Sequence, residues 1–242
     1  MAHAAAETRR SEPIKPIASP LHLLLVLLII GFWAYRGAVN SERAIQSLSA
    51  NRPFYYLRTI AFEWAMLGVV LIGLRLRGSS YLTVLGERWR SRKELARDIG
   101  IAAVFWIVST IVLSAIAPHS HSATPSPLVQ AILPNGLLES TLWIVLSISA
   151  GICEEAVHRG YLQHQFMAMT RNVPIGIALA ALVFGLGHSY KGWAGAAGVF
   201  VDGVMLGTLA YWRRSLRPGM MAHAFTDVFA GVLARLLKVG VS

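Results

Sequence analysis

Apolar residues gather into seven runs along the chain, each bounded by polar or basic stretches. They are Leu21 to Tyr35, Thr59 to Leu74, Ile99 to Ala117, Leu137 to about Cys153, Val173 to His188, Trp193 to Trp212 and Pro218 to about Leu237. A helix crossing hydrocarbon needs about 20 apolar residues, and most of the runs reach or approach that length once their flanks are added. The pattern predicts an all-α fold: a polytopic membrane helix bundle of about seven transmembrane helices. The first run follows a basic tail and so resembles a secretory leader. It ends in the bulky Phe32, Trp33 and Tyr35 with no small-residue cleavage site close behind, which favours a retained helix. Three segments are expected: a tail over 1–20, N-terminal transmembrane helices over 21–136 with a basic loop at 75–98, and a chemistry-bearing set over 137–240.

Composition agrees. Of the 242 residues, 55% are apolar and 14% charged, with a mean hydropathy of +0.54; soluble domains carry about 25% charged residues. A disordered chain, a charged soluble repeat and an ordinary cytosolic enzyme are therefore disfavoured. In a soluble protein the net charge of +10 would suggest nucleic acid. Here the basic residues sort by loop. Seven of the 22 lie in 75–98, and 15 of the 22 fall on the side of the tail if the helices alternate. Positive loops stay on the cytoplasmic side, so the tail is expected to be cytoplasmic and no nucleic-acid partner is expected. The 75–98 loop could rest on anionic headgroups, although a solvated loop that sets orientation is the simpler reading. The single Cys153 allows no internal disulfide, and a helix-buried thiol is usually inert packing. His119 and His121 share a polar loop and read as solvated. Gly192, Gly195, Gly198, Gly203 and Gly207 form a small-residue stripe that lets membrane helices approach closely.

Ionisable groups inside membrane helices are costly and mark function or pairing. They concentrate in the second half of this chain. Glu154-Glu155-Ala-Val-His158-Arg159 follows an apolar stretch, with Glu155 and Arg159 four apart on one helical face. Phe184-Gly-Leu-Gly-His188 closes another run, and His223-Ala-Phe-Thr-Asp227 again places two polar groups one turn apart. Each alone has a bland reading as a surface pair or a satisfied packing histidine. If the Leu137 helix continues to Met169 and turns at Arg171 to Pro174, Glu154 and His188 lie at about the same depth on antiparallel helices. Bringing His223 to that depth is expected to need a dip or kink in the glycine-rich stretch after His188. Glu63, Glu139 and Asp202 also lie in or beside apolar runs, Asp202 most simply as an interhelical hydrogen-bond partner.

In this order, EExxxR (Glu154, Glu155, Arg159), FxxxH (Phe184, His188) and HxxxD (His223, Asp227) resemble the motifs of the CPBP family. That family holds the type II CAAX prenyl endopeptidases and bacterial relatives linked to bacteriocin processing or immunity. The resemblance covers about 137–237 and includes Arg159-Gly-Tyr-Leu162 and Ser215-Leu-Arg-Pro218. Asp227 stands where prenyl-protein enzymes often have Asn. The resemblance implies an intramembrane endopeptidase acting on a membrane-associated protein or peptide, in a bacterial plasma membrane. On this reading Glu154 is the base that takes a proton from water, and His188 holds the same water. Glu155 and Arg159 pair and orient the turn. His223 stabilises the oxyanion while Asp227 fixes its ring, and Phe184 is a candidate substrate contact. No cofactor is favoured. Glu154, His188 and His223 could alternatively hold zinc, since His₂Glu is a catalytic ligand set, but the HExxH spacing is absent. The rival reading is a non-catalytic immunity or scaffold protein of the same family. A proton-coupled transporter would be expected to show internal repeats, and none is evident.

Overall fold

The computed structural model describes residues 14–86, 89–116 and 127–233. The first 13 residues of the tail, the His119 and His121 loop and the chain after 233 lie outside the described residues. Within the described residues, all seven apolar runs lie on helices. Helices α1 (Pro20–Val39), α2 (Ser41–Leu76), α3 (Leu82–Leu85), α4 (Arg92–Ile116) and α5 (Pro127–Ile132) make up the first half. In the second half, α6 (Leu137–Glu155) runs through a π-helical stretch, Ala156–Leu162, into α7 (Gln163–Thr170). Then come α8 (Val173–Gly187), a 3₁₀ turn (Ser189–Lys191), α9 (Gly192–Arg213), α10 (Arg217–Val228) and a terminal π turn (Phe229–Leu233). Among the described residues, five helices are long and apolar enough to cross a membrane, and Val173–Gly187 is a shorter apolar helix.

Burial runs opposite to that of a soluble protein. Leu21, Leu28, Phe32, Ile107 and Ile111 are exposed, whereas Glu63, Asp98, Ser147, Ser149, Glu155, Arg159, Gln163 and Gln165 are buried. Outward apolar side chains are solvated by lipid tails, and polar groups turn inward to satisfy one another. The chain is an integral membrane protein.

Local chemistry sets the breaks. Within α2, Asn51 leaves helical geometry (φ −160°, ψ 81°) just before Pro53, and its side chain accepts from Phe54 N at 3.0 Å. That cap starts the spanning part of the helix, Asn51–Leu76. The α6–α7 rod is a single 34-residue element, Leu137–Thr170. It ends at Arg171 in left-handed conformation (φ 54°), and Asn172 caps α8 through Ile175 N at 3.0 Å. Gln165 on α7 holds the approach to α1, accepting from Ile17 N at 2.8 Å and donating to Ala18 O at 3.1 Å.

Four glycines let the rod and its neighbours touch. A Cβ at Gly151 would lie 2.6 Å from Met220 O on α10, and one at Gly160 would lie 2.9 Å from Val84 on α3. At Gly185 it would lie 2.9 Å from Ala196 O on α9, and at Gly207 2.6 Å from Gln163 Oε1. Helices α8 and α9 thus form a close hairpin against the rod, and α10 returns along its other side.

Candidate functional site

The hairpin and the return of α10 bring the separated motifs to one place. The reversal at the end of α8 uses the 3₁₀ turn and Gly192 at φ 81°. Helix α9 then runs without a break, so the expected kink in the glycine-rich stretch is not there. It is unnecessary because α10 doubles back along α9 after Arg214 to Leu216. A Cβ at Gly219 would lie 3.5 Å from Leu206 Cδ2, and His223, one turn further on, is brought level with the middle of α9 rather than its end.

Glu154 Oε2 lies 4.0 Å from His188 Nε2 and 3.7 Å from His223 Nε2. That oxygen is buried and has no hydrogen-bond partner among the described residues. Both histidines are fixed at their other nitrogen. His188 Nδ1 is 2.9 Å from Phe184 O, and a carbonyl only accepts, so Nδ1 carries the hydrogen and neutral His188 presents a lone pair at Nε2. His223 Nδ1 is 2.9 Å from Glu155 Oε1, and Arg159 Nη1 donates to that same oxygen at 2.8 Å. Glu155 and Arg159 are almost fully buried, so one carboxylate holds both the guanidinium and the imidazole.

Asp227 contributes differently from the expectation. Its Oδ2 is 3.6 Å from His223 Nε2, the nitrogen on the open side of the ring, and its side chain is 35% exposed. Glu155, not Asp227, fixes the ring of His223; the carboxylate that is buried and already shared with Arg159 is the one in reach of Nδ1. Phe184 is buried, with its ring centroid 4.7 Å from that of His188, 4.9 Å from His158 and 5.9 Å from His223. The Arg159 guanidinium sits 4.2 Å from its centroid. Phe184 therefore spaces the site's rings and also forms part of the cavity wall.

The seven-residue π stretch begins directly after Glu155, and all of it is buried. Wider turns of this kind recur where a helix must aim side chains unusually. Here His158 Nδ1 turns back to Glu154 O at 2.9 Å, which leaves Arg159 to meet Glu155.

Glu154 and His188 line a cavity of about 140 Å³, walled on the other side by α1 and α2 through Trp33, Phe62, Glu63 and Tyr55. Such a volume holds a few waters or a small side chain. Glu63 was not assigned a role on sequence grounds. It is buried, lines this cavity and accepts from Ser149 Oγ at 2.6 Å. The signal was present, since Glu63 is the only charged residue between Thr59 and Leu74.

The donors of Glu154, His188 and His223 are those of a His₂Glu set in kind. Among the described residues, however, no group of three or more His, Cys, Asp or Glu is placed to hold a metal ion.

The helix bundle thus brings a carboxylate–histidine cluster to the wall of a cavity among the membrane helices. Residues 136–229 match the family described as Type II CAAX prenyl endopeptidase Rce1-like. That stretch holds every motif residue named above, and it is what the chain shares with the CAAX protease family. No curated protein and no solved structure matches the chain.

Proposed function

We propose that the protein is an intramembrane endopeptidase that hydrolyses a peptide bond in a membrane-associated protein or peptide, using water activated by Glu154 and His188. The observation that carries this reading is the unpartnered Glu154 Oε2 on the cavity wall, between two histidine Nε2 atoms. A water there donates one proton toward Glu154 and the other toward the Nε2 lone pair of His188. Its oxygen lone pair is left for the scissile carbonyl carbon. As the oxygen–carbon bond forms, Glu154 takes the first proton. His223, protonated and held at Nδ1 by Glu155, donates from Nε2 to the developing oxyanion. Collapse of the tetrahedral intermediate breaks the carbon–nitrogen bond, and Glu154 returns its proton to the leaving amine. No metal is required for these steps. The loop charges favour a cytoplasmic N-terminus, and the resemblance favours a bacterial plasma membrane.

The test is cleavage of accumulated substrates, identified by proteomics in cells carrying Glu154→Gln. Loss of the general base is expected to lower turnover by about 100-fold or more, with an unchanged melting transition. His188→Ala should do the same. If a host phenotype depends on the protein yet survives both substitutions, the scaffold reading replaces the enzymatic one.

A further inference from the structure

A second charged cluster lies outside the cavity, at the start of α4 and α10 and the end of α9. Asp98 is completely buried. It accepts from Trp89 Nε1 at 3.0 Å and from Arg213 Nη2 at 3.4 Å. Arg217 Nε lies 3.3 Å and Arg97 Nε 3.7 Å from its two oxygens. One carboxylate thus faces three guanidiniums, and among the described residues no other acid is within ion-pair distance of them. Among the described residues the three guanidiniums share this single carboxylate. Arg213 Nε and Arg217 Nη1 are buried without a hydrogen-bond partner among the described residues. Buried donors of this kind call for an acceptor.

The cluster sits where spans end. Arg213 closes the span Ser189–Arg213, and Arg92 opens the span Arg92–Ile116. Charges at such positions lie at headgroup level, as do tryptophans. The Arg217 guanidinium rests 5.0 Å from the centroid of the Trp89 ring. Beside it opens a groove lined by Leu85, Ile148, Ile152 and Met220, with Arg217 the one charged side chain among its described lining residues. Ile148 is half exposed there.

We propose that this groove is a binding site for one anionic phospholipid, its phosphate on Arg217 beside Arg213 and an acyl chain along Ile148 and Ile152. Guanidinium forks match phosphate oxygens in geometry and charge, and basic pockets between membrane helices take anionic headgroups. A free phosphate would satisfy the arginines but leave the apolar groove unfilled. A zwitterionic lipid would fill the groove but not offset the charge. The site is independent of the protease reading.

Native mass spectrometry of the full chain in detergent, titrated with dioleoyl phosphatidylglycerol or dioleoyl phosphatidylcholine, tests it. One phosphatidylglycerol should bind about tenfold or more tighter than phosphatidylcholine, as one or two added guanidinium–phosphate contacts imply. Combined Arg213→Gln and Arg217→Gln should abolish that preference. Because this variant strips Asp98 of partners and could unfold, Ile148→Trp provides a second arm. It fills the groove, leaves the ion cluster intact and should lose phosphatidylglycerol retention at an unchanged melting temperature. Inorganic phosphate should not displace the lipid. Equal binding of the two lipids, retention by folded Ile148→Trp, or displacement by inorganic phosphate would each overturn the proposal.

Discussion

His223 Nδ1 and Arg159 Nη1 meet the same oxygen of Glu155, at 2.9 and 2.8 Å. This shared oxygen joins two motifs that lie 68 residues apart in sequence. It makes the second glutamate of the pair a positioning residue for the histidine, while the first faces the cavity. Two adjacent carboxylates thereby take separate tasks: Glu154 Oε2 has no hydrogen-bond partner among the described residues, and Glu155 Oε1 has two.

The division of labour separates Glu155 from Asp227 in experiment. Asp227→Asn removes a charge from a group 3.6 Å from His223 Nε2 and partly exposed, and asparagine keeps the shape while gaining a donor. Turnover is expected to stay within a few-fold of the parent, or to rise. Glu155→Gln loses the charge that holds the imidazole, and turnover should fall by about 100-fold. Steady-state cleavage of one peptide substrate by both variants gives the comparison. A larger loss for Asp227→Asn than for Glu155→Gln would return the orienting role to Asp227.

Stability should report the same buried pair in another way. Arg159→Met leaves Glu155 short of its strongest partner, and Glu155→Leu leaves a guanidinium buried without a carboxylate. Breaking one side of a buried pair costs about 3–5 kcal/mol, so each single variant should melt well below the parent. The double variant Glu155→Leu/Arg159→Met removes both charges and is expected to melt above either single one. Its activity should not return, because His223 has lost its anchor. Melting by intrinsic fluorescence alongside cleavage distinguishes the two effects.

Much of this arrangement was legible in the sequence, and the exceptions have physical causes. The position of the apolar helices follows from the apolar runs, and the turn after the long rod follows from Arg171-Asn172-Val173-Pro174. The depth match of Glu154 and His188 follows from counting residues on either side of that turn. Other features depend on which faces meet. The expected small-residue stripe named Gly203 and Gly207, both of which do contact α8 or the rod, but also Gly198, which has open space. Gly151, Gly160, Gly176 and Gly185 make close contacts of the same kind and gave no periodic signal. The orienting role of Glu155 was hidden because it crosses from one motif to another. Asp98 was hidden because its three arginines looked like ordinary loop charges, and only the packing of α9 and α10 against α4 brings Arg213 and Arg217 to it.

Gly185 offers a test of how firmly the hairpin holds His188. A side chain there would press on Ala196 O and the Phe200 Cβ, at 2.9 and 3.0 Å from the new Cβ. The backbone oxygen cannot rotate away, so α8 and α9 must separate. Gly185→Val should cost about 1–3 kcal/mol and shift His188, three residues on. Turnover is expected to fall more steeply than the melting temperature alone would suggest. Gly198→Ala, in open space, should leave both unchanged.

Metal dependence is the last prediction, and the geometry gives it a direction. Zinc bonds to nitrogen and oxygen ligands are about 2.0–2.2 Å long, which draws tetrahedral donors closer together than the 3.7 and 4.0 Å separating Glu154 Oε2 from the two Nε2 atoms. The observed spacing suits a water that is hydrogen-bonded to Glu154 and His188 and faces His223. Cleavage by the purified protein is therefore expected to survive prolonged incubation with a strong zinc chelator, and elemental analysis should find well under one zinc per chain. Chelation that abolishes activity, with recovery on adding zinc, would make Glu154, His188 and His223 metal ligands. In that case Glu154→Gln would act by weakening metal affinity, visible as lost zinc stoichiometry, rather than by removing a base.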